Sequence, residues 1–300
     1  MTFPIIDSHQ HVWDPSRAEY EWLDASLAPI NRAITLDELI PELRTAGVQH
    51  TVQVQSSDNN EDTQLMRDSA DAHPDIVAAI VGYGPLDRPD ELAATLETWR
   101  TDSRMVGVRN LIHNKPDPDW LLRDDVSSGL GVLESSGYAL DVVAVLPRHL
   151  ELIPILSERF PRLRMVIDHL SKPPIGLADR EPWWSLIAGA ARNPLVSAKV
   201  SGLYSATTDA GAWSTASVRP FFERALEAFG PQRLMYGGDW PISILSGGYA
   251  RVWGGLAPLF SELSEADRER VLGRTASEFY RIDPARLGGG STAQGQEQNR

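Results

Sequence analysis

The chain has 300 residues, 42% of them hydrophobic and 23% charged, which is ordinary for a globular enzyme and long enough for one α/β barrel. Its net charge of -13 argues against a nucleic-acid partner, which needs a basic footprint. The lack of cysteine excludes disulfides, iron–sulfur clusters, thiolate zinc sites and cysteine nucleophiles, and no apolar run is long enough for a membrane span.

The first apolar run, Pro4-Ile5-Ile6, ends in Asp7-Ser8-His9-Gln10-His11. It has no basic start followed by an apolar stretch, so it reads as a strand and not a signal peptide, and a cytoplasmic protein is expected. A strand repeats every two residues, so His9 and His11 face one side, half of a plausible divalent-metal site. Residues 14–34 are polar and aromatic without helical period, an excursion over one face of the protein. Thr35 to Glu38 has the form of a capping box, and Leu36, Leu39, Ile40 and Leu43 then recur at helical spacing until Gly47. His50 to Gln55 is a strand. Asn60 is placed to cap a second helix that ends near His73-Pro74. Ile76 to Val81 is a strand, and Leu92, Leu96 and Trp99 mark a helix face.

Met105 to Arg109 is the next strand, followed by a loop through Asn114 to Pro118 and a helix from Asp119-Trp120 to Gly137. Tyr138 to Val143 is a strand. Leu150, Ile153, Leu156 and Phe160 make a helix face, and Leu163 to Asp168 is a strand ending at His169. A helix from about Glu181 to Ala191 precedes the strand Val196 to Val200. Arg219 to Phe229 is helical, and Leu234 to Tyr236 runs into Gly237-Gly238-Asp239-Trp240-Pro241. Capping sequences at Ser264 to Asp267 and Thr275 to Glu278 predict a helical C-terminus. Residues 1–287 are expected to form one domain and 288–300 a disordered polar tail.

Eight short apolar strands alternating with amphipathic helices predict a (β/α)8 TIM barrel, and no glycine-rich dinucleotide fingerprint follows the first strand. In a barrel the polar groups at the carboxyl ends of the strands converge. The first strand offers His9 and His11, the second Gln53 or Gln55, the fourth Arg109 and the fifth Asp141. The sixth offers Asp168 and His169, the seventh Lys199 and the eighth Asp239. Each has a structural reading beside the functional one. Asp239 could serve only its own turn, and His169 could start a helix. Lys199 could pair with Asp168 or Asp141 as structure, since a lone buried ammonium is costly. Arg109 either recognises substrate or balances a carboxylate, and Asp141 either faces the lumen or caps a turn. His113 lies in the loop after Arg109, within reach of a substrate. Trp13, Trp22, Trp120 and Trp240 are core or lid material, and a few of them at the mouth would suit a sugar-like or aromatic ligand.

Four stretches carry a resemblance: Ile6 to Trp13, Asp168 to Pro174, Lys199 to Leu203 and Gly237 to Pro241. Together with Val108-Arg109 and Trp120 to Arg123, they resemble the amidohydrolase-related family from residue 4 to about 283. Within it they resemble the branch of sugar-lactone and dicarboxylate-lactone hydrolases, such as the L-fuconolactonases and L-rhamnonolactonases. The resemblance implies an amidohydrolase-type barrel with His9, His11 and Asp239 at one divalent ion, Zn2+ the leading choice, and His169 as catalytic group and further ligand candidate. It implies hydrolysis of a sugar lactone with Asp239 as general base, and Arg109, Lys199, Asp141, His113 and Trp240 toward the substrate. The chain departs from the superfamily by showing Arg109 where a metal-bridging lysine is usual and Asp141 where many relatives carry a ligating histidine, which argues against a two-metal centre. Metal-independent hydrolysis of a dicarboxylate lactone and metal-dependent decarboxylation are the alternatives, and a barrel that only binds a ligand is the remote one. The oligomeric state is left open.

Overall fold

A computed structural model describes residues 3–206 and 213–288. Eight strands run β1 (Ile6–Gln10), β2 (His50–Val54), β3 (Val77–Tyr83), β4 (Met105–Asn110), β5 (Ala139–Val142), β6 (Met165–Ile167), β7 (Val196–Val200) and β8 (Leu234–Tyr236), all parallel and in sequential order. The seam between the first and last strands is closed by backbone bonds: Asp239 N–H donates to the His9 carbonyl at 2.8 Å and His11 N–H to the Trp240 carbonyl at 2.8 Å. The expected (β/α)8 barrel is the observed fold. Its closure also places the eighth-strand aspartate beside the first-strand histidines.

The helices α1 (Leu36–Ala46), α2 (Asn60–Ala72), α3 (Pro89–Trp99), α4 (Asp124–Ser136), α5 (Pro147–Arg159), α6 (Trp183–Ala190), α7 (Thr215–Phe229) and α8 (Tyr249–Ser261) surround the strands. Each buries an apolar stripe, such as Leu36, Leu39 and Leu43 of α1 or Leu92, Leu96 and Trp99 of α3. The C-terminal segment, α9 (Glu265–Glu269) and α10 (Thr275–Tyr280) joined by the wide turn Arg270–Arg274, packs under the strand starts. There Phe279, Tyr280 and Ile282 join Ile6, Val52, Val54, Val166 and Met235 in a second apolar cluster. No helix is long and apolar enough to cross a membrane.

Several local expectations need correction. Thr35 precedes α1 without a side-chain cap, and the Glu38 side chain makes a two-pronged pair with Arg32 instead of completing a capping box. Asn59, not Asn60, caps α2 by accepting from Asp62 N–H at 2.8 Å. Ser264 caps α9 as expected, but Thr275 lies inside continuous helix and donates to the Pro231 carbonyl instead. The helix α8 has no counterpart among the expected elements. Gly288 forms a turn, and residues 289–300 of the expected tail lie outside the described residues.

Candidate metal centre

The end of β1 places His11 in the lining of a cavity of about 220 Å3 at the carboxyl ends of the strands, with His9 fully buried behind it. His169 follows β6 and Asp239 follows β8. The nearest ligand atoms of His9, His169 and Asp239 lie within 4.8 Å of one another. Asp239 Oδ1 is 3.8 Å from His9 Nε2, 3.5 Å from His11 Nε2 and 3.9 Å from His169 Nε2. Three imidazoles therefore aim one nitrogen each at one carboxylate oxygen.

The backbone is bent to achieve this. Four consecutive residues without glycine, His169 to Lys172, have positive φ (56, 48, 59 and 47°), and Asp239 has φ 52°. Left-handed backbone costs roughly 1–2 kcal/mol for each such residue and persists only where the surroundings impose it. Buried Leu170 and the bond from Trp183 Nε1 to the Leu170 carbonyl (2.7 Å) hold the first of these turns. Gly202, at φ 58°, passes so close that a Cβ would meet His169 and lie 2.8 Å from Asp239 Oδ2.

Each ligating candidate is fixed from behind. His11 Nδ1 donates to the Val54 carbonyl at 2.7 Å, which leaves its Nε2 lone pair toward Asp239. His169 Nδ1 pairs with Ser201 Oγ at 2.9 Å. The Tyr204 hydroxyl donates to Asp239 Oδ2 at 2.7 Å and leaves Oδ1 for the imidazoles. Burial works against charge on Asp239, but the imidazoles of His169, His11 and His9 that face it outweigh burial and hold the carboxyl below its ordinary range. Burial keeps His9 neutral, aided by the Lys199 ammonium, and lowers His169 to about 4 despite the two nearby carboxylates. Neutral imidazoles and an ionised carboxylate are the protonation states a divalent cation requires.

These residues fit such an ion on an observation independent of the fold. His9 Nε2 is fully buried with no hydrogen-bond partner, although it points at the carboxylate. A buried nitrogen without a partner is costly in a protein interior, and an ion held by His9, His11, His169 and Asp239 would satisfy it. Nitrogen with a single carboxylate oxygen is a donor set suited to Zn2+ and its neighbours.

The expected substrate contacts divide. Arg109 and His113 line the cavity, with Trp13, Trp22, Lys172 and Ile242. Arg109 is also committed elsewhere, through Nε to Asp168 (2.8 Å) and one Nη to the Gln55 carbonyl (2.7 Å). Lys199 and Asp141 do not reach the cavity. Lys199 is fully buried, bonded to Asp141 Oδ2 and lying 3.1 Å from Asp168 Oδ1, while Tyr280 donates to Asp141 from below. Their assignment to substrate is therefore corrected to a buried ionic cluster, because the lumen has a layer beneath the mouth. Trp240 is corrected too. The turn at Asp239 sends its ring into the core, where it is 4% exposed and away from the cavity lining. Sequence reasoning missed Tyr204, Lys172 and the specific place of Trp22. Lys172 lies within the quoted stretch Asp168 to Pro174 and Tyr204 directly follows the stretch Lys199 to Leu203, and that was the available signal.

Residues 6–282 match the model of the family described as amidohydrolase. The chain is 35% identical over 290 residues to an L-fucono-1,5-lactonase of Burkholderia ambifaria, covering 94% of this chain and 97% of that protein. It is 30% identical to an L-fucono-1,5-lactonase of Burkholderia multivorans, covering 93% and 97%. Among solved structures, an amidohydrolase of Burkholderia multivorans with bound zinc superposes with TM-score 0.84 at 29% identity, over 93% of this chain and all of that one.

Proposed function

The chain belongs to the amidohydrolase family, and on that premise we propose that it hydrolyses a sugar lactone, of the L-fucono- or L-rhamnonolactone kind, to the open aldonic acid in the cytoplasm. The observation that carries this reading is the convergence of His9, His11 and His169 on one oxygen of Asp239, with His11, His169 and Asp239 lining the cavity. The two lactonase relatives supply the substrate class.

When bound, a divalent ion, Zn2+ for choice, supplies Lewis acidity and lowers the pKa of water from 15.7 toward about 7. Asp239 is ionised and its Oδ1 is free of the Tyr204 bond, so it takes the proton of the attacking water as general base. The water oxygen joins the lactone carbonyl carbon, the acyl bond to the ring oxygen breaks, and Asp239 returns its proton to that ring oxygen. Product and substrate then differ by one water. Arg109 lines the cavity and keeps one Nη outside its bonds to Asp168 and the Gln55 carbonyl, a candidate to hold the carbonyl oxygen as charge develops on it. Trp13 and Trp22 wall the cavity with flat apolar surface, and His113 and Lys172 add polar contacts, a mixture suited to a sugar ring.

A dicarboxylate lactone would need cations free to clamp two carboxylates. Arg109 spends its Nε on Asp168 and one Nη on Gln55, which leaves Lys172 and a single Nη facing the cavity; the sugar lactone is therefore the better fit. The test is a pH-indicator assay over a panel of sugar and dicarboxylate lactones, with metal analysis of the same sample and a check for released CO2. Acid release from a sugar lactone is the expected result. CO2 release, or turnover of dicarboxylate lactones alone, would refute it.

A further inference from the structure

Beneath the cavity floor lies a cluster of charges that the proposed hydrolysis does not use. Arg109, Asp141, Asp168 and Lys199 are all at most 4% exposed. Two cations face two carboxylates, so the cluster is neutral as a whole. Such an arrangement gains little stability over apolar packing of the same shape, because desolvating the charges offsets most of their attraction. Its geometry toward His9 gives it a second use.

His9 presents Nε2 to the floor and Nδ1 to the cluster. Two groups compete for Nδ1: Lys199 Nζ at 3.1 Å and Asp168 Oδ1 at 3.4 Å. A lysine ammonium only donates, so pairing with Lys199 requires a bare Nδ1 and puts the ring proton on Nε2. That tautomer aims N–H at the floor and leaves no lone pair for an ion. Pairing with Asp168 requires the reverse, with Nδ1–H donating to Oδ1 and Nε2 bare. Asp168 Oδ1 is buried and ion-paired with Lys199 Nζ at 3.1 Å, and a carboxylate oxygen has a further lone pair with which to accept that proton. Arg109 holds the other oxygen, Oδ2, at 2.8 Å, which fixes the orientation of Oδ1.

We propose that Asp168 is the positioning residue of the metal centre: it selects the His9 tautomer whose Nε2 can ligate, and Arg109 fixes its aim. This rests on the metal-assisted reading above. Lys199 is the opposing group. Partners of this kind behind a ligating histidine typically change metal affinity roughly 10–100-fold when removed.

The test uses the full-length protein with zinc as the probe. Zinc affinity is measured by competition with a chromophoric chelator for the wild type, Asp168→Asn and the control Asp141→Asn, which removes a carboxylate of the same cluster that does not touch His9. The expected result is a loss of roughly 10–100-fold for D168N and a change of no more than about threefold for D141N. Equal losses in the two variants, or none in D168N, would overturn the assignment and leave the metal reading intact. A wild type that binds no zinc would sink both. A second measurement needs no variant. Long-range nitrogen–proton spectra of 15N-histidine-labelled, zinc-loaded wild type are expected to show His9 with its proton on Nδ1. Ligation through Nδ1 instead, with the proton on Nε2, would overturn the proposal even if neither variant folds.

Discussion

Replacing Asp239 by Asn separates chemistry from architecture. Asparagine keeps the shape of the side chain and tolerates left-handed backbone nearly as well as aspartate, so the turn at φ 52° survives. Its carbonyl oxygen can still accept from the Tyr204 hydroxyl, which stands 2.7 Å from Oδ2 in the wild type. The amide nitrogen must then occupy the place of Oδ1, 3.5–3.9 Å from the three imidazole nitrogens, where it has hydrogens to donate and no lone pair for a proton. Losing a general base costs about 10²–10⁴ in rate, or about 2.7–5.4 kcal/mol at 1.36 kcal/mol for each factor of ten. The assay is kcat for acid release from the best sugar lactone, with circular dichroism and a melting curve to show that the variant folds. A folded D239N enzyme within tenfold of wild-type kcat would refute the role of Asp239.

Other perturbations follow from the same geometry. Tyr204→Phe removes the donor that aims Asp239; a hydrogen bond to a charged group is worth about 1.5–3 kcal/mol, so kcat should fall by one to two orders of magnitude, and unchanged turnover would remove Tyr204 from the site. Lys199→Met leaves Asp141 and Asp168 facing each other without their shared cation, so unfolding titrations should show a loss of roughly 3–5 kcal/mol; the double variant with Asp141→Asn should recover part of it, and strictly additive losses would contradict a shared ionic cluster. His149 is buried, its Nδ1 accepting from Val145 N–H at 3.2 Å and Leu146 N–H at 3.4 Å, and burial lowers its pKa below the ordinary 6.5. The unfolded chain thus binds this proton first as pH falls, so stability is full above about 6.5 and is lost below it by at most about 1.4 kcal/mol per pH unit. His149→Asn, which keeps an acceptor near the Nδ1 position, should flatten that slope in urea titrations between pH 7 and about 5; an unaltered slope would place the acid sensitivity elsewhere.

Much of this architecture could be read from residue order because parallel strands buried on both faces must be continuous apolar runs. All eight strands begin within two residues of their expected starts. The HxH of β1 and the aspartate after β8 were legible as partners only once a closed barrel was assumed, since closure is what brings the ends of the chain together. Depth was not legible. Strand alternation shows that Lys199 and Asp141 point inward but not that they lie a layer below the mouth, where they find each other and Asp168. Trp240 was misplaced because nothing in the sequence announces the left-handed turn at Asp239. The helix α8 hides its period behind Gly254, Gly255 and Pro258, although Tyr249, Val252, Leu256 and Leu259 form its buried stripe. Tyr204 follows the glycine turn at Gly202, and its link to Asp239 spans 35 residues of chain.

The proposed hydrolysis needs one divalent ion and one carboxylate at this floor to open a cyclic ester. Metal analysis of the purified protein, paired with sugar-lactone hydrolysis before and after chelation, tests it most directly. About one divalent ion per chain, loss of turnover on its removal and recovery on adding back Zn2+ is the predicted result. Full hydrolysis by rigorously metal-free protein would contradict it.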